Sequence, residues 1–148
     1  MNLVDESTPI ELLLVDDDTG DVLITSEALD DSNLAHNLHV VSDGEEAIRF
    51  LRRRGEFADS PRPDLVILDL NLPRLSGREV LALIKDDEDL RRIPVVILST
   101  SDAEEDVLGG YDLHANAYVT KPVDFGAFTR AVRQIDEFFL TVVRLPRR

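Results

Sequence analysis

Residues 65–73 read LVILDLNLP: four branched apolar residues, an aspartate and a turn that ends in proline. A continuously apolar run of this kind is typical of a strand that is covered on both faces of a parallel sheet. Four comparable segments occur elsewhere, at residues 12–15, 38–41, 95–98 and 117–119. The sequence therefore predicts five strands.

Segments with apolar residues at helical spacing follow these strands. They lie at about residues 18–30, 43–54, 76–87, 102–113 and 124–141. Because strand and helix alternate five times, we predict an α/β fold with a doubly wound, five-stranded parallel sheet. The pair Gly109-Gly110 lies inside the fourth helical segment and suggests either an early helix end or a soft helix.

The length of the chain, 148 residues, suits one ordinary domain with a hydrophobic core of its own. We predict one domain over residues 1–148, with its core at about 10–141, a loose N-terminus over 1–10 and a C-terminal extension over 142–148. The sequence contains no recognisable linker or repeat, so we expect no separate output domain.

Composition argues against several classes of function. Thirty acidic and sixteen basic residues give a formal net charge of −14, which would repel nucleic-acid phosphates, so we expect no nucleic-acid partner. The sequence has neither a signal peptide nor an apolar segment of the ~18 residues that a membrane helix needs, and we predict a cytoplasmic protein with no membrane association. The absence of cysteine excludes disulfides and thiolate chemistry.

Polar side chains follow four of the five predicted strands. Residues 16–18 are three consecutive aspartates after the first strand, Asp69 follows the third, Ser99 the fourth, and Thr120 and Lys121 the fifth. In an open parallel sheet, ligands bind beyond the carboxyl ends of the strands. We therefore expect these side chains to converge at one edge of the sheet.

Clustered carboxylates raise one another's pKa unless a cation compensates them. Oxygen ligands without histidine or cysteine suit Mg²⁺, which binds through one or two carboxylates and favours phosphates. The aspartates of residues 16–18 could instead be a helix-capping run, since Asp is favoured at N-caps. We prefer capping for Asp18, and metal binding for Asp16 and Asp17.

Asp69 is the candidate nucleophile, because a carboxylate at a strand end can hold a phosphoryl group as an acyl phosphate. Such a transfer needs mainly positioning and charge neutralisation. Mg²⁺ would supply one positive centre and Lys121 a second, while Ser99 could donate a hydrogen bond to a phosphoryl oxygen.

At these residues the sequence resembles the receiver domains of two-component response regulators. The matching segments are 14–17 (LVDD), 66–73 (VILDLNLP) with Gly77, 96–99 (VILS) and 118–122 (YVTKP). Asp69 and Ser99 are 30 residues apart, and Ser99 and Lys121 are 22 apart, as in chemotaxis-type members of the family. Together and in this order, the segments are far more specific than any one alone.

The resemblance implies a flavodoxin-like (βα)5 fold and a role for each matching residue. Asp69 would be the phosphoacceptor, Ser99 the switch hydroxyl and Tyr118 the aromatic residue that moves with it. Lys121 would contact the phosphoryl group and precede a cis bond to Pro122.

The resemblance also implies a Mg²⁺ site. Asp17 and Asp69 would bind the ion by their carboxylates, Asn71 by its backbone carbonyl and Asp16 through water. Thr100 departs from the small residue that is common after the switch hydroxyl, so we expect narrower access to the site and altered phosphorylation and hydrolysis rates.

A sensor histidine kinase is the partner that the resemblance implies. Within the family, the chain is similar to the stand-alone regulators of bacterial and cyanobacterial phytochromes in residues 98–101, 110–116 and 138–146, which points to a phytochrome-type kinase. Beyond its own phosphorylation and dephosphorylation, the protein is not expected to be an enzyme.

Two other functions compete with this interpretation. A small Mg²⁺-dependent phosphohydrolase could also form an aspartyl-phosphate, but it usually needs a second acid two residues after the nucleophile, where this chain has Asn71. A receiver that binds partners without phosphorylation is disfavoured by the retained Asp17, Asp69, Ser99 and Lys121. His36, His39 and His114 stand at no recognisable metal-ligand spacing, so we interpret them as surface or structural residues.

The end of the chain predicts a homodimer. A stripe facing the sheet would consist of Phe125, Phe128, Val132, Ile135 and Phe139. Further apolar residues then remain to be covered: Phe138, Leu140, Val142, Val143 and Leu145. Large exposed apolar patches mark interaction sites, and two-fold dimers are the commonest closed oligomers. The alternative is that these residues fold back onto their own domain.

Overall fold

The protein contains one sheet of five parallel strands in a computed structural model. The structure describes residues 9–31, 35–99, 115, 117–121, 123–127 and 130. The strands are β1 (Ile10–Val15), β2 (His36–Val41), β3 (Leu65–Asp69), β4 (Val95–Ser99) and β5 (Ala117–Thr120). They lie in the order β2-β1-β3-β4-β5, and each neighbouring pair is parallel. The predicted sheet is confirmed.

Alternate side chains of β1 fill two cores on opposite faces of the sheet. Leu12 and Leu14 pack in the core that includes the helix after β1, whereas Leu13 and Val15 pack with the helices after β2 and β3. Because both faces are covered, the inner strands consist mainly of apolar residues. The edge strand β2 is less buried, and its Val40 is 44% exposed.

Three helices follow the first three strands: α1 (Thr19–Asp31), α2 (Gly44–Leu51) and α3 (Gly77–Asp86). A polar side chain accepts a backbone N–H at the start of each. Asp18 accepts from Asp21, Asp43 accepts from Glu46, and Ser76 forms a reciprocal capping box with Glu79. The interpretation of Asp18 as a capping residue agrees with this contact.

The second helix is shorter than predicted. We expected it to reach residue 54, but α2 ends at Leu51. Arg53 takes a left-handed conformation with φ of 55°, and the Arg54 N–H donates to the Arg49 carbonyl at 2.9 Å. Arginine is a good helix former, so residues 52–54 carry no stop signal in the sequence. Short 3-10 turns occupy Gly55–Phe57 and Leu90–Arg92.

Residues 125–127 and 130 are helical, as expected for the start of the last predicted helix. Phe125 is 46% exposed, so its assignment to the core-facing stripe is wrong. The rest of that stripe, the apolar end of the chain, the predicted helix at 102–113 and Gly109-Gly110 lie outside the described residues. Within the described part of the chain, no helix has the length and apolar character needed to cross a membrane.

Candidate functional site

The predicted site residues meet at the carboxyl edge of the sheet. Strand order reverses at β1, which has β2 on one side and β3 on the other, and such a reversal opens a crevice beyond the strand ends. Asp16 and Asp17 directly follow β1, Asp69 ends β3 and Ser99 ends β4. Parallel pairing in register therefore brings residues distant in sequence to one place.

Lys121 lies at the centre of this edge. Its Nζ is 2.9 Å from one carboxylate oxygen of each of three residues, Asp16, Asp21 and Asp69, and its side chain is 5% exposed. The backbone N–H of Lys121 donates to the Ser99 carbonyl at 2.9 Å, which continues the β4–β5 pairing past Thr120. The ladder thus directs the lysine toward the carboxylates of β1 and β3.

Asp21 is a site residue that the sequence analysis missed. It occupies the first turn of α1 and donates its backbone N–H to Asp18, so its sequence context indicates only a helix start. Its side chain is 26% exposed and reaches Lys121 across 100 residues of sequence. The available signal was its position only four residues after Asp17, in the first turn of the helix that follows β1, which keeps it near the same strand end.

The charges at this edge are unevenly compensated. Burial alone would lower the pKa of Lys121, but hydrogen bonds to Asp21 and Asp69 and contact with Asp16 outweigh it and raise the pKa above its ordinary value. Burial raises the pKa of Asp16, and the charge of Asp69 adds to this, while the Asp18 N–H and Lys121 oppose it. The single ammonium of Lys121 therefore does not neutralise the negative charges of the three carboxylates around it.

Asp16, Asp17 and Asp69 fit a hard divalent cation. One carboxylate oxygen from each lies within 4.8 Å of the others, and among the described residues they are the one such group of three. Asp16 Oδ2 is fully buried and, although close to Lys121, accepts no well-directed hydrogen bond from the described residues. Buried and exposed oxygens together suit an ion that keeps some of its water.

The histidines of the described residues lie away from this group. His36 faces Asp30 at 3.5 Å, and His39 faces Glu11 at 2.7 Å. Both contacts agree with the structural role predicted for them, whereas His114 lies outside the described residues.

The loop after β3 fixes the Asp69 carboxylate. Its Oδ1 accepts the Asn71 N–H at 3.0 Å, and the Gly77 N–H donates to the Leu70 carbonyl at 3.1 Å. A Cβ at Gly77 would collide with the Asp69 carbonyl oxygen and come within 2.6 Å of Leu70 Cα. Only glycine therefore lets α3 start this close to the end of β3.

Ser99 and Tyr118 occupy neighbouring strands. Ser99 is completely buried at the end of β4, and Tyr118 is half-buried on β5, where it packs against the core beneath α2 and α3. Their roles as switch residues stay a prediction. Thr100 and Pro122, with the predicted cis bond, lie outside the described residues.

Comparison with known proteins identifies the family of the chain. The family model of the response regulator receiver domain matches residues 12–133. The chain belongs to this family. Response regulator Rcp1 of a Synechocystis strain is 47% identical over 143 residues, which cover 96% of this chain and 97% of that protein.

Two solved structures extend the likeness to three dimensions. The phosphorylated cyanobacterial phytochrome response regulator RcpA is 47% identical with a TM-score of 0.77, covering 94% of this chain and 99% of its own. The Mn²⁺-bound form of Rcp1 is 46% identical with a TM-score of 0.76, and the match covers 93% of this chain and 99% of that chain.

These comparisons confirm the receiver fold and the similarity to phytochrome response regulators. The receiver domain is a module of two-component signalling, and nothing in the comparisons points to a phosphohydrolase. One of the similar structures is a Mn²⁺-bound form, and in this chain Asp16, Asp17 and Asp69 form a carboxylate group that could hold a metal ion.

Proposed function

We propose that the protein is a phosphorylation-controlled switch whose phosphoacceptor is Asp69. The observation that carries this proposal is the contact of 2.9 Å between Asp69 Oδ2 and Lys121 Nζ, beside two further aspartates, at the carboxyl end of β3. The Asp69 side chain is 5% exposed and its carboxylate is oriented by the Asn71 N–H, so little freedom remains to be lost before reaction.

The donor would be a phosphohistidine of a sensor histidine kinase. An Asp69 carboxylate oxygen attacks phosphorus, the P–N bond breaks, and its electron pair stays on the imidazole nitrogen of the kinase. The new P–O bond makes an aspartyl-phosphate, and Lys121 balances charge on the phosphoryl oxygens. The similarity to cyanobacterial phytochrome response regulators supports a phytochrome-type kinase as this partner, which would place the protein in the cytoplasm.

Mg²⁺ is the proposed cofactor. Asp17 and Asp69 would hold it by their carboxylates, Asn71 by its backbone carbonyl and Asp16 through water. When bound, the ion supplies positive charge to the transferring phosphoryl group. Asp17 is exposed at the rim of the site, which suits a ligand that shares its ion with water.

Ser99 and Tyr118 would report the phosphorylation state. A hydrogen bond from the Ser99 hydroxyl to a phosphoryl oxygen exists only in the phosphorylated state, and this difference can shift a conformational equilibrium. Inward movement of Tyr118 would then change the surface of β5. Partners would read that altered surface.

Dimerisation through the C-terminal helix remains part of the proposal. The half-exposed Phe125 leaves an apolar side chain near the start of that helix available for contact. Sedimentation of the whole chain and of a chain ending at residue 140, each with and without beryllofluoride, tests it. A whole chain that stays monomeric in both states, or a shortened chain that dimerises equally well, would contradict it.

The proposed phosphorylation is tested with acetyl phosphate and Mg²⁺. In this reaction Asp69 displaces acetate from phosphorus, and gel mobility or intact mass reports the product. We expect incorporation in the wild type and in Asp86→Asn, an exposed aspartate at the end of α3, but not in Asp69→Asn. Equal incorporation in all three proteins would refute Asp69 as the acceptor.

A further inference from the structure

Three carboxylates surround the Lys121 ammonium. It donates hydrogen bonds to Asp21 and Asp69 at 2.9 Å, and Nζ also forms an ion pair with Asp16 Oδ2 at 2.9 Å. The side chain is 5% exposed, so water offers little further coordination. A phosphoryl oxygen that contacts Lys121 therefore competes with these three carboxylates for Nζ.

Asp21 is the partner that can leave at the lowest cost. The Asp16 side chain is fully buried, so separation from Lys121 would leave a charge without water. Asp69 is 5% exposed and carries the phosphoryl group itself, which keeps it beside the lysine. Asp21 is 26% exposed and lies on a helix turn at the surface, so its carboxylate can be hydrated after release.

We propose that Asp21 is a positioning residue for phosphoryl transfer: it holds Lys121 in the unphosphorylated protein and yields it to a phosphoryl oxygen when Asp69 is modified. This inference rests on the proposed phosphorylation of Asp69. The Asp21–Lys121 contact also joins the first turn of α1 to the segment after β5. Phosphorylation consequently loosens the link between these two elements.

Beryllofluoride, which binds an aspartate carboxylate as a phosphoryl mimic, is the probe. We compare its affinity in Mg²⁺ buffer for the wild type, Asp21→Asn and Asp18→Asn. Both substitutions remove one negative charge from the same helix start, but only Asp21 contacts Lys121. Asparagine caps helices as well as aspartate does, so the Asp18→Asn control keeps α1 intact.

Without its carboxylate, residue 21 competes less for Lys121. Asp21→Asn should therefore bind beryllofluoride about three- to tenfold more tightly than the wild type, which is ~0.6–1.4 kcal/mol. Asp18→Asn should stay within about twofold, because the loss of one exposed charge is screened by salt.

A second measurement needs only the wild type. In carboxyl-labelled protein, the ¹³C resonance of Asp21 should move when beryllofluoride saturates the site, and it should move more than that of Asp18. This readout reports the loss of the lysine contact and would not change if Asp21 merely stabilised the helix.

Two results would overturn the inference in distinguishable ways. In the first, the wild type binds beryllofluoride, Asp21→Asn and Asp18→Asn bind it equally, and the Asp21 resonance does not move. Asp21 then does not give up its contact with Lys121, and Asp69 remains the proposed acceptor. If the wild type binds no beryllofluoride in Mg²⁺ buffer, the proposed function and the role of Asp21 both fail.

Discussion

Lys121 and Asp69, which are 52 residues apart in sequence, meet through Nζ and Oδ2 at 2.9 Å. Parallel pairing of β3 with β4 and of β4 with β5 sets this distance, because each strand ends at the same edge. The contact places the proposed nucleophile, Asp69, beside the positive charge that would neutralise its phosphorylated form.

The two lysines of the chain should differ in chemical reactivity. Reductive methylation requires a neutral amine. Carboxylate contacts raise the pKa of Lys121 whereas burial lowers the pKa of Lys85, so at mildly alkaline pH a larger fraction of Lys85 is neutral. We expect Lys85 to be methylated first, as followed by peptide mass spectrometry. Faster modification of Lys121 would contradict the charge arrangement at the site.

Asp17→Asn should weaken Mg²⁺ binding by at least about tenfold, since even groups one layer beyond a metal ligand alter affinity by ~10–100-fold. Titration calorimetry measures the change. Asp18→Asn is the matched control, because this exposed neighbour caps α1 through an oxygen that asparagine retains. Equal loss in the two variants would show a general charge effect in place of a ligand at Asp17.

Gly77→Ala should destabilise the protein by about 1–3 kcal/mol, the usual cost of forcing extra volume into a packed region. The new methyl group would press on the end of β3 at Asp69 and Leu70, so acetyl phosphate labelling should fall as well. Urea unfolding reports the stability. For the control Gly20→Ala, the methyl group meets only an Asp18 oxygen at 3.2 Å, and we expect little loss. Full stability of Gly77→Ala would refute the close approach.

The parts of the fold that were predictable are those with strong local signals. The buried runs at 65–68 and 95–98 are apolar at every position because helices cover both faces of the sheet, and β3 and β4 occur there as expected. The early end of α2 was not predictable, since it depends on the left-handed backbone of Arg53 and not on a glycine or proline.

The candidate site was predictable where it coincides with strand ends. Asp16, Asp69, Ser99 and Lys121 follow apolar runs, so topology alone brings them together. Asp21 could not be recognised in this way, because an acidic residue in the first turn of a helix is favoured by the helix dipole whether or not it contacts a lysine. Likewise, the exposure of Phe125 depends on how its helix starts, which apolar spacing does not determine.

Trapping the aspartyl-phosphate tests the central claim most directly. Wild-type protein is phosphorylated with acetyl phosphate and Mg²⁺, then treated with sodium borohydride, which reduces an acyl phosphate on aspartate to homoserine. Peptide mass spectrometry identifies the converted residue. We predict homoserine at position 69 and at no other aspartate. Conversion at Asp16, Asp17 or another aspartate, with position 69 unchanged, would contradict the account.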